Sequence, residues 1–251
     1  MSFDPIWLPV LAISGWASGF VNTVAGGGSF FSYPILVLLG FPPHVANGTI
    51  RVTVVMQNLV GIPTFAREGH FYPKPSLIAS LAAIPTAYLG SVVAVHLDAD
   101  PYRKISAALV LLVLATLFVN PRAWARSESL KRPRWGAALP LFGLVGFYGG
   151  FFQLGVGMPF LVAAVLVGGW DLVRANAIKV FVVLAFSIVA LWVFAAEGKV
   201  DWTAGLVVGV GNMIGAWHGA KSVVRRGPGW IRWVMVGMGV LAAVRLLFPK
   251  I

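Results

Sequence analysis

Two cations stand where cations are costly. Arg51 lies in TIRVTVV and Lys179 in AIKVFVV, each inside an apolar run. A charge at the bilayer interior costs at least about 2.5–3.5 kcal/mol on insertion scales. The acidic residues are Asp4, Glu68, Asp98, Asp100, Glu128, Asp171, Glu197 and Asp201, and all fall near segment ends or in loops. With no carboxylate at mid-depth to neutralise them, an anionic ligand is a natural partner for Arg51 and Lys179. The alternative for each is snorkelling, since each sits only a turn or two into its segment.

Uncharged donors surround the two cations. Gly26, Gly27 and Gly28 precede Ser29 in AGGGS; Gly155 and Gly157 follow Gln153 in GGFFQLGVG. Glycine lets the backbone leave a helix and approach a ligand closely. The short helix that follows would present free N–H groups and the positive end of its dipole, a combination that binds anions. Close helix packing is the competing reading of the same glycines. Asn22, Asn47, Gln57, Asn58 and Asn176 lie in apolar surroundings and can donate to an oxyanion or bond across helices. Asn47 and Asn176 each precede one of the cations by a few residues. No catalytic or metal constellation accompanies this set. His44, His70, His96 and His218 are scattered and cysteine is absent, so neither an enzyme nor a cofactor is expected.

The elements that must position these residues follow from composition. Of 251 residues, 59% are hydrophobic and 11% charged, against about 45–50% and about 25% in soluble domains. Soluble globular, disordered, collagenous and disulfide-scaffold classes are excluded. The apolar stretches are continuous rather than alternating, which excludes a membrane barrel. An all-α integral membrane protein remains, with about 8–10 transmembrane segments. Apolar runs fall at about 6–24, 29–40, 45–66, 75–97, 102–120, 136–153, 156–168, 175–196, 202–220 and 230–248. The net charge of +11 sits mostly between these runs and reads as positive-inside orientation rather than nucleic-acid binding. MSFDPIWLPV has no basic stretch, so the first segment is expected to be retained.

The chain divides into a first membrane repeat, 1–120, a basic cytoplasmic linker, 121–135, and a second repeat, 136–251. Asn47 matches Asn176, Gly40 matches Gly169, and Glu68-Gly69 matches Glu197-Gly198, all at one offset of 129 residues. Runs 29–40 and 156–168 would reach only about 18–20 Å as helices, short of a hydrocarbon core of about 30 Å. Paired short, glycine-interrupted segments at matching repeat positions point to a transporter's binding site. If each short segment turns back on its predecessor as a re-entrant helix, each half holds five segments and the repeats are inverted. Arg67, Lys74, the linker and Lys221, Arg225, Arg226 and Arg232 then share the cytoplasmic side. If each pair is one broken helix, the halves are four plus four and the last basic cluster faces outward, against the charge rule. The inverted arrangement is preferred.

The sequence GGGSFFSYPILVLLGFPPHVANGT followed by EGH, with GFYGGFFQLGVGMPF, RANAIKVFVV, EGKVDW and GNMIGAWHGAK in the second half, resembles the TauE/SafE sulfite exporter family, the TSUP transporters. The likeness runs over about residues 10–240. It implies a multi-pass carrier in the bacterial inner membrane for small sulfur-containing anions or organic acids: sulfite, sulfoacetate and related sulfonates or carboxylates. It implies no cofactor. Gln153 departs from the small-residue character of the family's second glycine motif. The expected function is transport of such an anion by alternating access at a central site between the repeats. A channel with the same site and a non-transporting membrane scaffold are the alternatives. Substrate-binding residues are expected to be Arg51, Lys179, Asn47, Asn176, Asn22, Gly26, Gly27, Gly28, Ser29, Gln57, Gln153, Gly155 and Gly157. The expected partners are the small anion and the lipid bilayer, with no nucleic acid.

Overall fold

The computed structural model describes residues 5–25, 28–116, 133–222, 240–241 and 243–248. Nine long or short helices follow one another among them: α1 (Leu8–Ala25), α2 (Ser29–Leu38), α3 (Pro43–Arg67), α4 (Pro73–His96), α5 (Ala99–Thr116), α6 (Trp135–Phe151), α7 (Gly157–Leu166), α8 (Leu172–Ala196) and α9 (Trp202–Ser222). Residues 240–241 and 243–247 are also helical. The first nine apolar runs thus become nine helices. Gly26, Gly27, most of the linker (121–132) and the cations Arg225, Arg226 and Arg232 lie outside the described residues.

Local chemistry sets the helix ends. Pro43 and Pro73 open α3 and α4, where a missing N–H costs nothing. Asp171 caps α8 by accepting from the N–H groups of Val173 and Arg174, each at 3.0 Å. Glycines with positive φ close α2 and α3: Gly40 at +88° and Gly69 at +79°. Past them, the Phe41 N–H reaches the Leu36 carbonyl at 3.0 Å and the His70 N–H reaches Phe65 at 2.8 Å, the Schellman closure. Their counterparts Gly169 and Gly198 also have positive φ, +66° and +64°. Both bounds of α8 repeat those of α3 at the same 129-residue spacing.

Packing crosses between the halves. α1 lies on α9, α4 on α6 and α8, and α3 on α8 and α9. Exchanging α1 with α6, α3 with α8 and α4 with α9 maps this set of contacts onto itself. Glycine makes the closest approaches possible. Gly15 and Gly19 meet the backbone of Val208 and Asn212; Gly211 and Gly215 meet that of Ala12 and Trp16. On the other side, Gly90 meets Phe147, Gly146 meets Ala83 and Gly150 meets Ala87. These glycines of α9 therefore serve in packing, Gly205 and Gly209 toward α3 and Gly211 and Gly215 toward α1. Helices α3 and α8 run antiparallel. Gly48 near the start of α3 abuts Lys199 beyond the end of α8, and Gly61 abuts Val180. The Asp201 N–H donates to Thr49 Oγ1 at 3.0 Å, while Tyr72 beyond the end of α3 lies 4.8 Å from the guanidinium of Arg174.

The polarity of the bundle is reversed relative to a water-soluble one. Leu81, Leu144 and Ile13 are 73%, 66% and 65% exposed, whereas Arg51 and Asn47 are 0% exposed. Apolar side chains face outward and hydrogen-bonding ones inward, as a lipid solvent demands. Pro73–His96 and Val173–Ala196 are long and apolar enough to cross a membrane; Leu8–Asn22, Ser29–Leu38, Trp135–Phe151 and Gly157–Leu166 are shorter apolar helices. α3 has the length but carries Asn47, Arg51, Gln57 and Asn58, which lower its hydropathy and point into the protein. Each short helix is wrapped in its own apolar core. Phe30, Tyr33 and Leu36 of α2 pack with Phe152 and Leu154, and Phe160 and Ala164 of α7 pack with Phe142 and Phe186.

Candidate functional site

The second glycine cluster breaks the chain between α6 and α7. Backbone leaves the helix after Phe151, with Phe152 extended at φ −143°, ψ 112°, and re-enters at Gly157. Such a break frees buried carbonyls and amides that must find partners. Two α3 side chains supply them from the other half. Asn47 Nδ2 donates to the Phe151 carbonyl at 2.9 Å, and the Gln153 N–H donates to Asn47 Oδ1 at 3.0 Å. Arg51 Nη1 donates to the Gly149 carbonyl at 3.0 Å and to Gln153 Oε1 at 3.2 Å; Nη2 donates to the Gly150 carbonyl at 2.6 Å. The guanidinium also lies 4.5 Å from the centre of the Phe194 ring. Arg51 thus sits at the carbonyl end of α6, where a cation complements both the unpaired oxygens and the helix dipole.

Beside this brace lies a cavity of about 70 Å³ built from both halves. Ser18 and Asn22 of α1, Ser29 and Ser32 of α2, and Thr53, Gln57 and Asn58 of α3 form one part of its wall. Gln153, Gly155 and Gly157 at the break, Lys179 of α8 and Asn212 of α9 form the other, with Ile50, Val54, Val156 and Val183 as apolar lining. The two breaks touch here: the Gly155 N–H donates to Ser29 Oγ at 3.1 Å, and Gly155 takes a φ of +69°. The contributing stretch of α3, 50–58, brackets the middle of that helix.

The wall is rich in donors and, among the described residues, holds no carboxylate. Lys179 Nζ donates to Asn176 Oδ1 at 2.6 Å, which leaves the ammonium two further N–H groups. Arg51 can only donate, so Gln153 must present its oxygen to Arg51; Ser187 Oγ approaches the same oxygen at 3.5 Å. The Gln153 amide nitrogen is then left for the cavity. Val156 caps α7 and Gly157 opens it, where amides have no intrahelical carbonyl to bond. The described wall thus offers one cation, carboxamide N–H groups and a helix N-terminus around a small void.

Seven of the expected residues line this void: Asn22, Ser29, Gln57, Gln153, Gly155, Gly157 and Lys179. Gly28 lies against it, its N–H 3.4 Å from Asn22 Oδ1 and its carbonyl 2.7 Å from Ser18 Oγ. Asn176 touches the site through Lys179. Arg51 and Asn47 are not part of the wall; their donors hold the broken backbone behind it. Gly26 and Gly27 lie outside the described residues. Sequence reasoning missed Ser18, Ser32, Thr53 and Asn212. The serines and threonine carry no distinguishing signal in a helix. Asn212 does: it is a carboxamide in the glycine-rich GVGNMIG stretch, whose glycines alone draw attention as a packing face.

An all-helical chain with outward apolar faces and a polar centre is a membrane protein. Its sequence matches the profile of the sulfite exporter TauE/SafE family over residues 11–246, and the chain belongs to that membrane-transporter family. It is 27% identical over 240 residues to the probable membrane transporter protein ORF9 of Sinorhizobium sp, covering 96% of this chain and 92% of the relative. Identity to the probable membrane transporter protein YfcA of Escherichia coli (strain K12) is also 27%, over 249 residues, 98% of this chain and 92% of the relative. The probable membrane transporter protein YdhB of Bacillus subtilis (strain 168) is 25% identical over 218 residues, 84% of this chain and 87% of the relative. No solved structure matches.

Proposed function

We propose that the protein carries a small sulfur-containing or organic anion, such as sulfite, sulfoacetate or a related sulfonate or carboxylate, across the bacterial inner membrane. The observation that carries this reading is the cavity between the two halves, whose described wall holds Lys179 and uncharged donors and no carboxylate. Lys179 supplies the attraction. Gln153, Gln57, Asn22 and the first amides of α7 supply directed hydrogen bonds. Arg51 and Asn47 act one layer back, fixing the break that aims Gln153 and α7.

Alternating access follows from two inverted repeats. The antiparallel course of α3 and α8, which are equivalent helices, supports inversion. The charge at the two ends agrees with it. Among the described residues, Arg67, Lys74, Arg134 and Arg174 flank the end where α3 stops and α8 starts, with Glu68 and Asp171; Arg103, Lys104 and Lys199 flank the other, with Asp98, Asp100, Glu197 and Asp201. The basic end is cytoplasmic by the positive-inside rule. The two breaks, tied by Ser29 and Gly155, form the moving contact between repeats in a multi-pass bundle.

The test is thermal stabilisation of the purified protein by sulfite, thiosulfate, sulfate, sulfoacetate, acetate and chloride. A ligand of the folded state must raise the melting temperature. A shift with one sulfur oxyanion or sulfonate, followed by its uptake into proteoliposomes, is the expected result. No shift with any anion refutes the assignment.

A further inference from the structure

We infer that the cavity contains an acceptor subsite at Asn212, so that the carried anion bears its own O–H or N–H group. This rests on the anion reading and deepens it. Asn212 lines the cavity, is 1% exposed, and its Oδ1 has no hydrogen-bond partner among the described residues. The orientation of its amide is fixed by a chain of bonds. Ser18 Oγ donates its single hydrogen to the Gly28 carbonyl at 2.7 Å. What Ser18 offers Asn212 is therefore a lone pair, and Asn212 Nδ2 donates to it at 3.2 Å. Turning the amide over would set Oδ1 against Ser18 and take the hydrogen from the short Ser18–Gly28 bond. The carbonyl oxygen is thus the end left over.

A buried acceptor without a donor is destabilising, and native structures retain few of them. A simple oxyanion has no hydrogen to give it. An anion with a hydroxyl, an ammonium or an acidic proton does. Ser32 Oγ, 2% exposed, also lines the cavity and has no partner among the described residues; as a hydroxyl it turns to suit either role. The site therefore has two ends. Lys179 and Gln153 hold the anionic group, and Asn212 receives a proton donor carried on the same molecule. Hydroxy- or amino-substituted sulfonates and carboxylates fit this description, as does a singly protonated sulfur oxyanion.

The experiment compares matched anions on the purified full-length protein by equilibrium binding. The pairs are 2-hydroxyethanesulfonate with propane-1-sulfonate, and glycolate with propionate; each pair differs by a hydroxyl in place of a methyl. The donor-bearing member of at least one pair is expected to bind about tenfold more tightly, because a site built to hydrogen-bond a hydroxyl rejects the analogue lacking it. Asn212→Leu is expected to abolish the preference within the pair. Equal affinities within both pairs in the parent protein overturn the subsite while the anion site stands, and that comparison needs no variant to fold. A preference that survives in Asn212→Leu removes the role from Asn212. If none of the four binds while sulfite or another anion of the first panel does, the subsite is overturned and the anion site stands.

Discussion

Replacing Arg51 with methionine keeps an unbranched apolar stem and removes the fork that closes α6. The carbonyls of Gly149 and Gly150, bonded at 3.0 and 2.6 Å in the parent, then lose their partner in a site no water reaches. Each buried acceptor left unpaired costs about 1–3 kcal/mol, so the folded state loses about 2–6 kcal/mol. For a chain of this length, 1 kcal/mol lowers the melting temperature by about 2–4 °C, which sets the expected drop on the order of 10 °C. Lys179→Met is different in kind. It frees only the Asn176 oxygen, and it removes the single cation in the cavity wall. Its ligand-free melting temperature should fall by a few degrees at most, but the stabilisation by anion should vanish. In the parent, a ligand at one hundred times its Kd adds about 2.7 kcal/mol. Arg51→Met should melt low and still respond to anion, by a smaller increment because Gln153 loses the partner that orients its amide. The chain's ten tryptophans give the intrinsic fluorescence needed to follow both variants with and without the best anion of the panel. The opposite pattern, in which Arg51→Met melts like the parent and ignores anion while Lys179→Met responds normally, would refute the division into brace and ligand.

Three further outcomes follow from particular contacts. Asn47→Ala removes both bonds that span the break to Phe151 and Gln153, and melting should drop by several degrees with an anion increment that persists. Gln153→Glu preserves the bond to Arg51 but adds a negative charge to the cavity wall. It should melt at or above the parent temperature and lose anion binding, and tight binding in that variant would contradict Gln153's place at the site. Gly211→Leu drives a side chain into the Ala12 backbone and should yield no monodisperse protein on size exclusion, whereas Gly136→Ala meets open space and should purify as the parent does.

Much of this architecture can be read from spacing alone. A 129-residue offset and two runs too short to cross predict paired broken segments, and α2 and α7 are those segments, ten residues each. Polar residues inside apolar runs mark α3 as the central helix for the same reason. The roles within it are not legible. Arg51 and Lys179 look alike in sequence, each a lone cation after an Ala-Asn pair. They differ only in what approaches them, and the carbonyls that consume Arg51 lie 98 and 99 residues further on. Asn212 is hidden for a related reason. It has no equivalent in the first half, where Ala83 stands at that spacing, and its one side-chain partner, Ser18, is 194 residues away.

The crossed packing of the halves bears on how the chain is assembled as it is made. α1 meets its glycine-matched partner only when α9 has been synthesised, and Arg51 waits for the end of α6 before its guanidinium is satisfied. The first half inserts with its grooves open and its central cation unpaired, so its helices must remain loosely held until the second half arrives. Contacts of such long sequence separation are closed late and slowly. The two halves are therefore unequal in time though alike in sequence: the first is a set of incomplete surfaces, and the second is what folds it.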